Sequence, residues 1–232
     1  MPRVVERVRR VKAMREASAK AATRAKAATP TLFTKNRQPL AGHYLAVPRT
    51  SSENRRYLPI GFLPHTTVAA NDLQIVPGAT GYEFGVLSSA MHFAWARTTA
   101  GRLKSDIRYS TKYTYNTFLW PEAPTGAQRA AIESAARAAL DTRTQFPGAT
   151  RADLYDPLAM PPALLKAHQK LDAAVDATYG RKNFKTDAAR VAFLFELYQR
   201  ITSLLPAEPA KPKRRKGASP TPGSEAAGIE GE

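Results

Sequence analysis

Between Arg102 and Asn116 the chain gathers guanidinium forks, ammonium groups, hydroxyls, phenols and a carboxamide into one short stretch: Arg102, Lys104, Ser105, Arg108, Tyr109, Ser110, Lys112, Tyr113 and Asn116. These groups suit a nucleic acid. An arginine can donate twice to a guanine edge, an asparagine can bond both N6 and N7 of adenine, and hydroxyls and cations hold phosphate oxygens. A second stretch, Arg49-Thr-Ser-Ser-Glu-Asn-Arg-Arg-Tyr57, repeats the mixture with Arg49, Ser51, Ser52, Arg55 and Arg56. The competing reading of both is an ordinary polar turn. The coincidence of cations with phenols favours the nucleic-acid reading. Phosphates are expected on the second stretch, and the first is expected to lie nearest the ligand.

Chemistry of other kinds finds no residues to carry it. No glycine-rich phosphate or dinucleotide loop follows a strand and opens a helix. No Asp-Pro-Pro-Tyr or Asn-Pro-Pro-Tyr quartet is present, and Pro161-Pro162 stands between Met160 and Ala163. His43, His65, His92 and His168 lack ligand spacing, and there is no cysteine for a thiolate site. Asp153, Asp156 and Asp172 read as caps or solvated groups rather than catalytic acids. His92 and Trp95 read as core. The expected catalytic, cofactor-binding and metal-binding sets are therefore empty.

Charge supports the same picture. The 232 residues carry a formal net charge of +16. Residues 1–56 hold fourteen Lys/Arg against three Glu, and Arg97, Arg102, Lys104, Arg108 and Lys112 face only Asp106. Concentrated basic stretches draw a protein to polyanions. A membrane partner is not expected. No window approaches the ~18–20 apolar residues of a span, the start is charged rather than signal-like, and a cytoplasmic location is the simplest expectation.

The elements that must position these residues are read from periodicity. Val4, Val8, Val11 and Met14 predict a basic helix over residues 3–28 that docks by a narrow valine stripe and ends at Thr29-Pro30. Tyr44–Val47, Tyr57–Phe62 and Leu73–Val76 read as short strands punctuated by Pro, Gly and Asn. Residues 84–100 read as one helix capped by Gly101, residues 102–110 as a basic loop, and Tyr113–Phe118 as a strand. Thr125 with Gln128 has capping-box spacing ahead of Ile132, Ala136 and Leu140. Pro161 opens a helix with Leu164, Leu165, His168, Leu171 and Val175 inward and Gly180 as its stop. Thr186 or Asp187 opens the last, with Val191, Leu194, Phe195, Tyr198 and Ile201 inward. Three such helices predict a small bundle. The expected whole is α+β: a basic helix over 1–28, a mixed recognition domain over 29–121 and a helical domain over 122–205. A tail over 206–232 is expected to be disordered, with Lys211–Lys216 adding loose phosphate contacts.

Several stretches, in order, carry a resemblance. Ala28-Thr-Pro-Thr-Leu-Phe33, Pro48–Phe62, Phe84-Gly-Val-Leu-Ser-Ser-Ala-Met-His92, Gly101–Ser110 and Tyr115-Asn-Thr-Phe-Leu-Trp-Pro121 resemble the C-terminal part of MmeI-like single-chain restriction–modification enzymes and related adenine-specific DNA methyltransferases. Leu154–Leu158, Met160–Pro162 and Phe193–Tyr198 fit the helical segment that ends such proteins, and the resemblance covers residues 1–205. Leu119 departs from it, standing where proline is expected before Trp-Pro. The resemblance implies a target-recognition fragment that binds double-stranded DNA in a bacterial restriction–modification system. It also implies that S-adenosylmethionine and magnesium belong to upstream catalytic domains, and that a separately encoded methyltransferase or nuclease chain is a further expected partner. The alternatives are a subunit or truncated form of a site-specific, adenine-specific DNA methyltransferase, and a sequence-blind basic nucleic-acid-binding protein.

Overall fold

A computed structural model describes residues 1–33, 37–180 and 184–203. The expected disordered tail and its Lys211–Lys216 run lie outside the described residues. In chain order the elements are helices α1 (Pro2–Glu16) and α2 (Ala21–Arg24), strands β1 (His43–Pro48), β2 (Thr50–Ser51), β3 (Gly61–Pro64) and β4 (Leu73–Pro77), and helices α3 (Gly81–Ser88) and α4 (Ala90–Thr99). Strands β5 (Gly101–Leu103) and β6 (Asp106–Arg108) follow, then a π-helical turn (Thr111–Tyr115) and helices α5 (Gly126–Thr144), α6 (Arg151–Leu154), α7 (Pro162–Thr178) and α8 (Asp187–Thr202). The α+β expectation holds: short antiparallel strands mix with helices, and the C-terminal part is helical.

The strands form two three-stranded antiparallel sheets among the described residues, ordered β3-β1-β4 and β2-β6-β5. Strand β1 is buried on both faces, with Tyr44, Leu45, Ala46 and Val47 at 2% exposure or less. That accounts for its unbroken apolar run. Arg49 joins the two sheets through its backbone. Its N–H donates to the Asp72 carbonyl at 2.8 Å, and its carbonyl accepts from the Tyr109 N–H at 2.7 Å.

Helix α4 is the centre of the molecule. Met91 through Ala96 are all buried, so it is covered on every side. Helix α3 crosses α5 at Gly85, where a Cβ would come within 2.5 Å of Ile132 Cγ2. Only glycine permits that approach. One continuous apolar core runs from Leu45 and Val47 through Phe84, Leu87 and Trp95 to Ile132, Leu171 and Leu194. It therefore crosses from the strand-bearing part into the C-terminal helices. A smaller cluster of Tyr57, Leu154, Tyr155 and Leu164 lies beside it.

Several expected elements are corrected. The helix over 3–28 stops at Glu16 because the chain folds back on Arg15, which is buried and donates to the carbonyls of Lys26, Thr29 and Leu32. Its stripe stays largely outside the core, with Val4 and Met14 exposed. Of the strand expected over 57–62 only Gly61 onward pairs, since Pro59 has no N–H to give. The helix over 84–100 starts earlier, at a Thr80/Glu83 capping box, and breaks at Ser89, whose hydroxyl caps α4. Gly101 is not a cap but the first residue of β5.

The expected basic loop is a hairpin, and the expected strand over 113–118 is the π-helical turn, capped by the Ser110 hydroxyl on the Tyr113 N–H. Thr114 and Phe118 are buried while Asn116 between them is exposed, which breaks the alternation a strand requires. The helix signals at Thr125/Gln128, Pro161, Gly180 and Thr186 hold. The three C-terminal helices do not close a bundle of their own. Helices α5 and α7 pack together against α3, while α8 packs chiefly on α4, with Phe195 and Tyr198 against Trp95 at 5.3 and 6.1 Å. Phe195 and Ile201, expected inward, are exposed to 40% and 62%.

Candidate nucleic-acid interface

Register sorts the second sheet into two faces. Ser51, Ile107 and Arg102 stand opposite one another, as do Thr50, Arg108 and Gly101. Cross-strand partners share a face. Ser51 and Ile107 are buried, so their face is the inner one. Arg108 therefore stands on the outer face of the middle strand, between Thr50 and a glycine that adds no side chain. Its guanidinium is exposed and has no hydrogen-bond or ion-pair partner among the described residues. Beyond it, Leu103 and Asp106 share the outer face. Lys104 and Ser105 make the two-residue turn, with Lys104 at φ 57°, a conformation that usually selects glycine. A lysine held there is presented at the tip with a strained backbone behind it.

At the other end of β6 the π-helical turn carries three more exposed groups, Lys112, Tyr113 and Asn116. Tyr113 is 59% exposed, with the Lys112 ammonium 5.1 Å from its ring centroid. The turn is tied to the first sheet by the Thr111 hydroxyl, which donates to Gln74 Oε1 at 2.8 Å. The hairpin tip, the outer face of β6 and this turn form one basic run, with Asp106 as its half-buried acid.

Not every expected contact residue reaches that surface. Tyr109 is buried beneath the sheet, its hydroxyl 2.9 Å from His92 Nε2. Burial holds the imidazole at a pKa of about 3, so this histidine is neutral, as a core histidine should be. Ser51 is buried with its hydroxyl inward. Both fall inside because alternation along β2 and β6 points them at the core. Ser110 caps the π-helical turn. Arg49 Nη1 donates to the Asn71 carbonyl at 3.1 Å, so its guanidinium is engaged by the fold. Ser52 accepts from the Asn54 N–H and shapes a tight turn that leaves Arg56 exposed and Arg55 half-buried. Arg102, although exposed, donates to the carbonyls of Ser105 and Arg97.

Arg97 is the residue that sequence reasoning counted in the basic cluster but left out of the site. It ends α4, its Nη2 donates to the Arg55 carbonyl, and its own carbonyl accepts from Arg102. It thereby connects the two stretches that sequence singled out separately. Its guanidinium also lies 4.6 Å over the Phe93 ring.

Behind the 52–57 turn runs a buried polar seam. Tyr57 stacks on His168 at 4.3 Å and donates to Asp172 at 2.7 Å. The other oxygen of Asp172 accepts from the Ala90 N–H, at the first turn of α4, at 2.7 Å. Asp172 was expected on an exposed face, but it is buried, and burial lifts its pKa to about 6. It is still a cap, for a helix 82 residues away in sequence. His168 pairs with the Tyr155 hydroxyl at 2.7 Å, Arg143 donates to that hydroxyl and to the Ile60 carbonyl, and burial holds His168 at a pKa of about 3. Asp153 closes the capping box of α6, as expected of a cap, whereas Asp156 accepts from the Leu158 and Ala159 N–H groups in a turn rather than at a helix start.

Two family models match this chain: "MmeI, target recognition domain" over residues 1–122 and "MmeI, C-terminal domain" over residues 124–206. DNA methyltransferase A of Bacillus subtilis (strain 168) is 39% identical over 201 residues, which are 87% of this chain and 22% of that protein. A solved structure of the Type IIL restriction–modification enzyme MmeI in complex with DNA superposes with a TM-score of 0.81 at 48% identity, covering 88% of this chain and 27% of that one. The chain thus spans less than a third of the length of either relative.

Proposed function

We propose, on the premise that this chain belongs to the MmeI family by its match to the target recognition domain, that it binds double-stranded DNA and selects the sequence on which a restriction–modification enzyme acts. The observation that carries this reading is the outer face of β6: an exposed Arg108, unpartnered among the described residues, between a threonine and a glycine and flanked by Lys104 and Lys112. The β5-β6 hairpin, joined by β2 only at Ile107 and Arg108, offers an exposed strand face to a groove, and cations at its ends can meet the phosphates on either side. Arg108 is the base-reading candidate, with Lys104, Ser105, Lys112, Tyr113 and Asn116 along the duplex and Arg55 and Arg56 on its backbone. The solved MmeI structure contains DNA, which supports the same partner here.

Methyl transfer and cleavage belong, in this reading, to the parts of such proteins that this chain does not match, whether on the same polypeptide or on a separate one. Among the described residues no group of three or more His, Cys, Asp or Glu converges to hold a metal ion. The sequence has no glycine-rich loop after a strand of the kind that holds a nucleotide cofactor. No helix of the described residues is long and apolar enough to cross a membrane.

Selection from a randomised duplex pool tests the proposal. Enrichment of one short sequence is expected. Retention of the pool without enrichment would reduce the chain to a sequence-blind binder.

A further inference from the structure

The 52–57 turn is gripped from two sides by polar contacts. On one side Tyr57 reaches 115 residues along the chain to Asp172 on α7. On the other, Arg97 at the end of α4 donates to the Arg55 carbonyl. The two grips are mechanically joined, because the oxygen of Asp172 not used by Tyr57 holds the first turn of the same α4. The Asp172 carboxylate is thus the shared anchor of the turn and of the helix that clamps it. The charged groups that face it are Arg190 on the packed α8 and Asp176 one turn along its own α7. They pair with each other at 2.7 Å, so Asp172 is left to Tyr57 and Ala90.

We infer that Asp172, acting through Tyr57, is a positioning residue of the C-terminal helices that sets where the 52–57 turn presents Arg55 and Arg56 to DNA phosphates. The inference rests on the DNA-binding reading above. It gives the C-terminal helices a part in recognition beyond closing the core. A long flexible cation gains little from a phosphate when the backbone that carries it is free to move, since ordering that backbone opposes binding. A turn fixed before the encounter removes that penalty.

The slope of log K against log salt separates positioning from general damage. It falls by about 0.9 for each duplex phosphate that the protein ceases to neutralise, whereas a lower folded fraction rescales K without changing the slope. The full chain is titrated with a labelled random-sequence duplex over a range of salt. Tyr57→Phe keeps the ring on His168 and removes only the hydroxyl. It is expected to lower the slope by about 0.9 or more, and to have no further effect when Arg55 and Arg56 are already alanine. Asp172→Asn still accepts from Ala90 and can donate to the Tyr57 oxygen, so it is expected to keep the wild-type slope. Arg97→Lys preserves charge but shortens the side chain that donates through Nη2 to the Arg55 carbonyl, and is expected to lower the slope as Tyr57→Phe does. This variant carries the test should Tyr57→Phe fail to fold. A wild-type slope in Tyr57→Phe or Arg97→Lys, or an effect of Tyr57→Phe that adds to loss of both arginines, overturns the inference alone. Absence of salt-dependent duplex binding by the wild-type chain overturns both this inference and the function it rests on.

Discussion

The seam behind Tyr57 and the outer face of the β2-β6-β5 sheet are both crowded with polar side chains, and they treat them in opposite ways. In the seam and beside it, Arg143 is enclosed by the Ile60 carbonyl, the Tyr155 hydroxyl and the rings of Phe84 and Tyr155. Arg190 is held by Asp176 with side-chain exposures of 10% and 3%. On the sheet, Arg108 is solvated and unpartnered among the described residues. A buried cation without partners would be prohibitive. An exposed one costs the fold nothing and remains available to a ligand. Arginine in one region therefore holds the structure, while in the other it is free to bind. Residue type does not separate the two roles, but environment does.

That contrast breaks if removing a seam cation is harmless. Arg190→Ala leaves Asp176 buried without its guanidinium, and is expected to destabilise the protein by about 3–5 kcal/mol in urea unfolding. A change comparable to a surface substitution would refute the distinction. Acid is expected to act next, on the two buried histidines. His92 and His168 are held neutral, with pKa values of about 3, and charge near 6.5 once unfolded, so the unfolded chain binds more protons between those values. Stability contributed by the two histidines is present above pH 6.5 and is lost as pH falls towards 3. Asp172, raised from 3.8 to about 6, acts oppositely, favouring the folded state as pH falls through 6. Asp176, also raised by burial, joins the opposing side, but the two histidines shift further, from 6.5 to about 3, so a net loss on acidification is expected. Asp172→Asn, which removes one of the opposing contributions, is expected to steepen it. A stability profile that is flat or rises between pH 6.5 and 4 would contradict this.

The same contrast accounts for what the sequence made legible. Local chemistry was readable. The Thr125/Gln128 box, Thr186, the proline at α7 and Gly180 all act within a turn or two of themselves, and each is where its residue type predicts. Basic stretches were readable as well, because charge density needs no fold to be counted. Partnership across the chain was not. Nothing near Arg15 announces that its guanidinium will collect three carbonyls and end its own helix, and nothing near Asp172 announces Tyr57. Ser51 and Tyr109 look like ligands by type, yet strand alternation turns them inward. Alternation itself misled over 113–118, where a serine cap drew the chain into a π-helical turn. Arg97 carried only a charge signal, since its role as the junction of two stretches is wholly tertiary.

The outer face supplies the smaller effects, and its two kinds of cation sharpen the comparison. Arg108→Ala is expected to leave unfolding within about 0.5 kcal/mol of wild type, as for an exposed side chain with no partner among the described residues. It should weaken binding to the enriched duplex by about 1–3 kcal/mol at fixed salt and relax selectivity at one position. Lys112 sits beyond the strand with its ammonium over Tyr113, where it can reach a phosphate but not a base edge held against β6. Lys112→Ala should therefore weaken all duplexes nearly uniformly and reduce the salt slope by about 1, with sequence preference unchanged. The two substitutions remove the same formal charge a few residues apart. If they proved interchangeable, with equal slopes and equal loss on preferred and random duplexes, the outer face would be an undifferentiated basic patch. A split, with selectivity lost at Arg108 and only slope lost at Lys112, is what a recognition surface built on one fixed strand and one flanking turn requires.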